Sequence, residues 1–86
     1  MGGVLSGLSG EHGPDPEDLF RLANWRMPFG KYKGERLIDL PEPYVVWFSQ
    51  HGYPPGGLGR LLRLLYEIKL NGLERVVEPY KNAARS

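Results

Sequence analysis

The chain contains no cysteine and only two histidines, His12 and His51. Without thiols there is no disulfide framework and no thiolate zinc site, which fits a reducing compartment such as the cytoplasm. Two isolated histidines do not make a metal centre on their own, and no cofactor is implied. No apolar run approaches the roughly 18 residues that a membrane span needs, so no membrane partner is expected. No Gly-Lys-Ser/Thr follows a glycine at the spacing of a Walker phosphate loop. Ser6, Ser9, Ser49 and Ser86 have no nucleophile-elbow context.

What remains is an 86-residue chain, long enough for one domain. Its net charge is only +1, but the distribution is uneven. Residues 1–24 carry four acids against one base, whereas residues 25–86 carry ten bases against six acids. The second balance permits a polyanionic partner. Five of the twelve glycines fall within residues 1–13, where Val4, Leu5 and Leu8 are too sparse to anchor a core. That segment reads as a flexible leader. It lacks the basic start and apolar centre of a secretory signal. Gly2 with Ser6 matches the short N-myristoylation pattern, which also arises by chance. Residues 14–80 read as a single domain and residues 81–86 as a polar tail.

Asp15-Pro16-Glu17-Asp18 has the composition of a helix start. Asp15 can cap, Pro16 suits the first helical position, and two acids meet the positive end of the dipole. This first helix should end near Asn24 or Trp25. A second begins after Asp39-Leu40-Pro41-Glu42-Pro43 and stops at Gly52. Tyr44, Trp47, Phe48 and His51 recur along it at helical spacing. A third, from about Leu58 to Asn71, is apolar around most of its circumference, with Arg60, Arg63, Glu67 and Lys69 on one narrow stripe. Such a helix is either central or packed on a second subunit. Asn71-Gly72 ends it, and Leu73 to Val77 makes a last helical turn.

Between the first two helices lies Met27-Pro28-Phe29-Gly30-Lys31-Tyr32-Lys33-Gly34. The spacing predicts a hairpin with arms Arg26–Phe29 and Glu35–Ile38 and a five-residue connection whose glycines supply positive φ. Pro28 confines the first arm to an edge. The fold class expected is therefore α+β, a two-stranded hairpin packed on about three helices.

The tip is the candidate site. Lys31 and Lys33 can contact phosphate, Gly30 and Gly34 let an anion approach the backbone, Tyr32 can stack on a base, and Arg26 and Arg36 support from the arms. The structural alternative is a solvated turn with Tyr32 folded onto the hairpin. Elsewhere the structural readings prevail. Asp39 and Glu42, three apart, suit a helix start better than a metal or acid–base pair. His51 suits a cap contact to the last carbonyls of its helix. Trp47, Phe48 and Tyr66 read as core, and Trp25 as a residue that can flank the tip.

The hairpin octapeptide, then Leu40-Pro41-Glu42-Pro43-Tyr44 with Trp47-Phe48, then Leu65-Tyr66-Glu67-Ile68-Lys69-Leu70-Asn71-Gly72-Leu73, resemble a small bacterial family. It carries the label "putative quorum-sensing-regulated virulence factor" and is a domain of unknown function. The likeness runs from about Pro16 to Pro79. The Phe-Gly-Lys-Tyr-Lys-Gly and Leu-Pro-x-x-Tyr-x-x-Trp portion also resembles an accessory region beside some bacterial 3′–5′ exonuclease domains. That likeness implies a nucleic-acid context by analogy, without the spaced acids such exonucleases use. The combined reading is a non-catalytic module whose Gly30–Gly34 tip binds nucleic acid or another polyanion, linked by the family label to virulence regulation. The alternative is a protein-interaction module, a homodimer through the apolar third helix. A small enzyme would need Asp39, Glu42, Tyr44 and His51 to converge.

Overall fold

The computed structural model of the chain describes residues 14–83. The expected leader and the end of the expected tail lie outside the described residues. Four α-helices and two 3-10 turns make up the fold, with no strand among the described residues.

Helix α1 spans Pro16–Asn24. The Asp15 side chain accepts the Glu17 N–H at 2.9 Å, as its position before Pro16 dictates. Leu19, Leu22 and Ala23 are buried, and so is Asp18, at 8% exposure. The Asp18 carboxylate accepts from Arg21 on the next turn, at 2.8 Å, and from Arg60. A buried charge needs such partners, because water no longer solvates it. The acid read as a helix-dipole residue is therefore also a tie between two helices.

After Trp25 the chain folds back on itself over residues 25–37, but the expected two-stranded hairpin does not form. The pairing is one isolated antiparallel bridge, Arg26 opposite Arg36. Its hydrogen bonds run from the Met27 N–H to the Glu35 carbonyl, 2.8 Å, and from the Leu37 N–H to the Trp25 carbonyl, 2.9 Å. Pro28, which has no N–H, stops the ladder on one arm. Opposite it, the Gly34 N–H reaches the Met27 carbonyl at 2.8 Å, so Gly34 and Glu35 together face one residue. With Gly34 at φ +93° this is a bulge of the G1 kind. The other arm leaves the pairing at Leu37, which enters a 3-10 turn, Leu37–Asp39. The α+β expectation is thus corrected: the fold is helical, and the 25–37 segment is a bridged excursion rather than a sheet.

Helix α2 covers Glu42–His51, with Pro41 as its cap residue, Pro43 in the first turn and Gly52 at the end. Val45 and Phe48 face inward, whereas Trp47 stays 49% exposed. The reading of Trp47 as core is wrong, because the 45/48 face already fills the space over the next helix. Helix α3 covers Gly56–Leu70 and buries Leu61, Leu62, Leu65 and Ile68. It packs on α1, on α2 and on the first 3-10 turn. These intramolecular neighbours cover Leu61, Leu62, Leu65 and Ile68, whereas Leu70 stays 58% exposed. The Gly72 N–H bonds the Lys69 carbonyl at 3.2 Å and the Leu73 N–H bonds the Ile68 carbonyl at 2.8 Å, a Schellman ending. A 3-10 turn, Glu74–Val76, leads into α4, Glu78–Ala83. Helix α4 was not expected. It packs along α1, where the Asn24 amide donates to the Tyr80 carbonyl at 3.2 Å, and Val77 just ahead of it is fully buried.

Candidate nucleic-acid interface

The excursion is rooted in the core and free at its tip. Met27 on one arm and Leu37 and Ile38 on the other are buried. Burial of such side chains stabilises by roughly 1.5–3 kcal/mol each, which holds two arms that share a single bridge. Midway along, Gly30 sits against helix α2. Its φ is +82°, and a Cβ there would come within 2.9 Å of the Tyr44 hydroxyl. Tyr32 is half-buried, its ring 4.7 Å from that of Tyr44 and edge-on to it. The expected stacking residue is therefore already packed, and serves as a wall that fixes the tip.

The cations are differently placed. Arg26, Lys31 and Lys33 are exposed and Arg36 is half-buried. Arg26 and Arg36 oppose each other across the bridge, so their side chains leave on the same face. One Arg26 amino group donates to the Gly34 carbonyl at 2.7 Å, tying the guanidinium to the bulge. The Lys31 ammonium lies 5.6 Å from the Tyr32 ring centre. Lys33 has no side-chain partner among the described residues. None of these four cations pairs with a carboxylate among the described residues, whereas Arg21, Arg60, Lys69 and Lys81 each do.

Beside the tip lies a feature the sequence reading missed. An open groove of about 640 Å³ runs between the excursion, α2 and the loop after α2. Phe29, Tyr32, Tyr44, Trp47, Phe48 and Tyr53 are its aromatic walls, and Lys31 is its only charged lining residue. Tyr44 meets Phe48 edge-on at 5.2 Å, and Phe48 meets Trp47 edge-on at 5.3 Å. The helical spacing of Tyr44, Trp47 and His51 is visible in the sequence, but that Val45 and Phe48 fill the core face and leave Trp47 outside is seen only in the structure. The far wall depends on Gly59. A Cβ there would lie 1.8 Å from the Pro54 carbonyl oxygen, so only glycine lets the 53–55 loop touch α3. Arg63 on α3 then covers the Tyr53 ring at 4.7 Å. Burial pushes the Tyr53 phenol above its ordinary value of 10.0, against the opposing pull of Arg63.

The remaining candidates separate. His51 Nδ1 donates to the Trp47 carbonyl at 3.0 Å, one turn back within α2 rather than to the last carbonyls, and its ring stacks on Trp47 at 4.4 Å. Asp39 faces Lys81 on α4 at 4.0 Å, while Tyr44 packs against Tyr32 at the tip, so these two side chains have different partners. No group of three or more His, Asp or Glu side chains could hold a metal among the described residues. Trp25 does not flank the tip. It lines a second hollow, of about 570 Å³, with Phe20, Arg21 and Tyr80.

A family model described as "putative quorum-sensing-regulated virulence factor" matches residues 15–80. The chain belongs to this family. The match takes in the excursion, the groove and all of α1 to α3. Similar relatives are the "Uncharacterized protein YpeB" of Escherichia coli strain K12 and its counterpart in Escherichia coli O157:H7. Each is 50% identical over 68 residues, which cover 78% of this chain and 94% of the relative. No solved structure matches the chain. No helix among the described residues is long and apolar enough to cross a membrane.

Proposed function

We propose that this family member is a non-catalytic nucleic-acid-binding module whose contact is the 25–37 excursion. One observation carries the reading: Arg26, Lys31, Lys33 and Arg36 project from one short, core-anchored segment, and none of them meets a carboxylate among the described residues. Arg21, Arg60, Lys69 and Lys81 pair with acids, whereas these four do not among the described residues. Glu35 is the only acid on the excursion. Such a patch is the electrostatic footprint of phosphate binding. Lys31 and Lys33 contact phosphate at the tip, and Arg26 and Arg36 do so from the bridged face. The family description adds a regulatory setting, virulence under quorum sensing, in which such a contact has a place.

The test is a titration of the protein with duplex DNA and with single-stranded DNA over a salt series. If Lys31 and Lys33 each neutralise one phosphate, Lys31→Ala with Lys33→Ala flattens the log–log salt slope by about 2 on duplex and about 1.4 on a single strand. Absence of binding to either at low salt ends the proposal.

A further inference from the structure

We propose that the aromatic groove takes the unpaired bases of a single nucleic-acid strand, so that the protein selects single strands over duplex. The inference rests on the phosphate-binding reading of the excursion and names its substrate class. Three observations carry it. The groove walls are rings, and two of them are far more exposed than packing explains: Trp47 at 49% and Phe29 at 44%. His51 stacks against the Trp47 indole at 17°, yet Trp47 keeps about half of its surface open and lines the groove. The groove holds no acid, and its one charged residue, Lys31, stands where the groove meets the tip. The occupant this combination fits has flat apolar faces and a negative charge beside them. A nucleobase on a phosphodiester has both. A neutral peptide lacks the charge, and a duplex hides its base faces in the stack. Tyr53, held under Arg63, closes the far end with a second cation above a ring. Base stacking on aromatic walls beside a basic track is how single strands are held without sequence preference.

The experiment uses the full chain carrying Trp25→Phe, which leaves Trp47 as the sole tryptophan. Three probes are titrated at low salt: an oligothymidylate, an abasic oligomer of the same length, and a blunt duplex. The expected result is quenching of Trp47 by the oligothymidylate alone. The oligothymidylate also binds at least about tenfold more tightly than the abasic strand. Trp47→Ala removes that advantage and leaves abasic binding unchanged. Phe29→Ala, exposed and outside the buried core, reduces the advantage as a second variant. If all three probes bind alike, or Trp47 is unaffected, the groove inference falls while the phosphate reading stands. If no probe binds at low salt, both fall.

Discussion

Gly30 and the Tyr44 hydroxyl are in such close apposition that a methyl group on Gly30 would sit 2.9 Å from that oxygen. This apposition, with the Tyr32 ring packed 4.7 Å from that of Tyr44, brings the basic excursion against helix α2. Gly30→Ala meets both the φ of +82° and the hydroxyl, whereas Gly34→Ala meets a φ of +93° with no atom within 4 Å. Backbone strain alone costs about 1–2 kcal/mol. Gly30→Ala is therefore expected to lose more stability than Gly34→Ala in urea unfolding, and Tyr44→Phe to narrow the gap between them. Equal losses in both backgrounds would show that the hydroxyl contact has no energetic weight.

Gly59→Ala is expected to destabilise, although alanine is the better helix former by about 1 kcal/mol. The added carbon meets a backbone carbonyl at 1.8 Å, and a backbone cannot swing aside as a side chain can. The overpacking cost is about 1–3 kcal/mol. Thermal unfolding checks the sign, since a domain of this size shifts its Tm by about 4–8 °C per kcal/mol.

Asp18→Asn removes the charge that Arg21 and Arg60 share. The Arg60 side chain is 57% exposed and recovers solvation when its partner goes, so the loss is well below that of a fully buried pair. About 1–2 kcal/mol is expected for Asp18→Asn, and under about 1 kcal/mol for Arg60→Ala. A double-mutant cycle on the two positions reads the coupling directly.

Tyr53 supplies a pH dependence. Its phenol is raised above 10.0 in the folded chain, so the folded state holds that proton more firmly than the unfolded state. Its stabilising contribution is complete below pH 10 and is lost as pH climbs through the folded value. Tyr53→Phe should therefore soften the alkaline fall in stability as pH rises past 10.0, measured by urea unfolding at each pH. Identical alkaline curves for both proteins would contradict this.

The helices were legible where local chemistry decides them. Asp15 before Pro16 marks the start of α1, and Asn71-Gly72-Leu73 the end of α3. The missing Pro28 N–H is legible and places that hairpin arm at an edge, but how early the pairing ends is not: the bulge at Gly34 takes up the Met27 carbonyl, and one bridge remains. Helix α4 was hidden because Glu78-Pro79-Tyr80 has no apolar stripe of its own, and the element is held by Asn24 and by its packing along α1. The cations of the candidate site were visible as residue types. The groove was not, because it joins Phe29, Trp47 and Tyr53 from three separate segments. No local pattern states that α2 turns its 45/48 face inward and leaves Trp47 out.

The bond from Asn24 to the Tyr80 carbonyl spans 56 residues and joins α1 to α4. During synthesis α1 leaves the ribosome early, with part of its packing surface still without a partner. Helices α2 and α3 can associate as soon as the Schellman turn is out, but the α1–α4 clasp closes only when Val77 and Tyr80 have emerged. The molecule is thus fastened by a segment made after α1, α2 and α3, and a chain that stalls before Val77 leaves the α1 face that α4 covers without its partner.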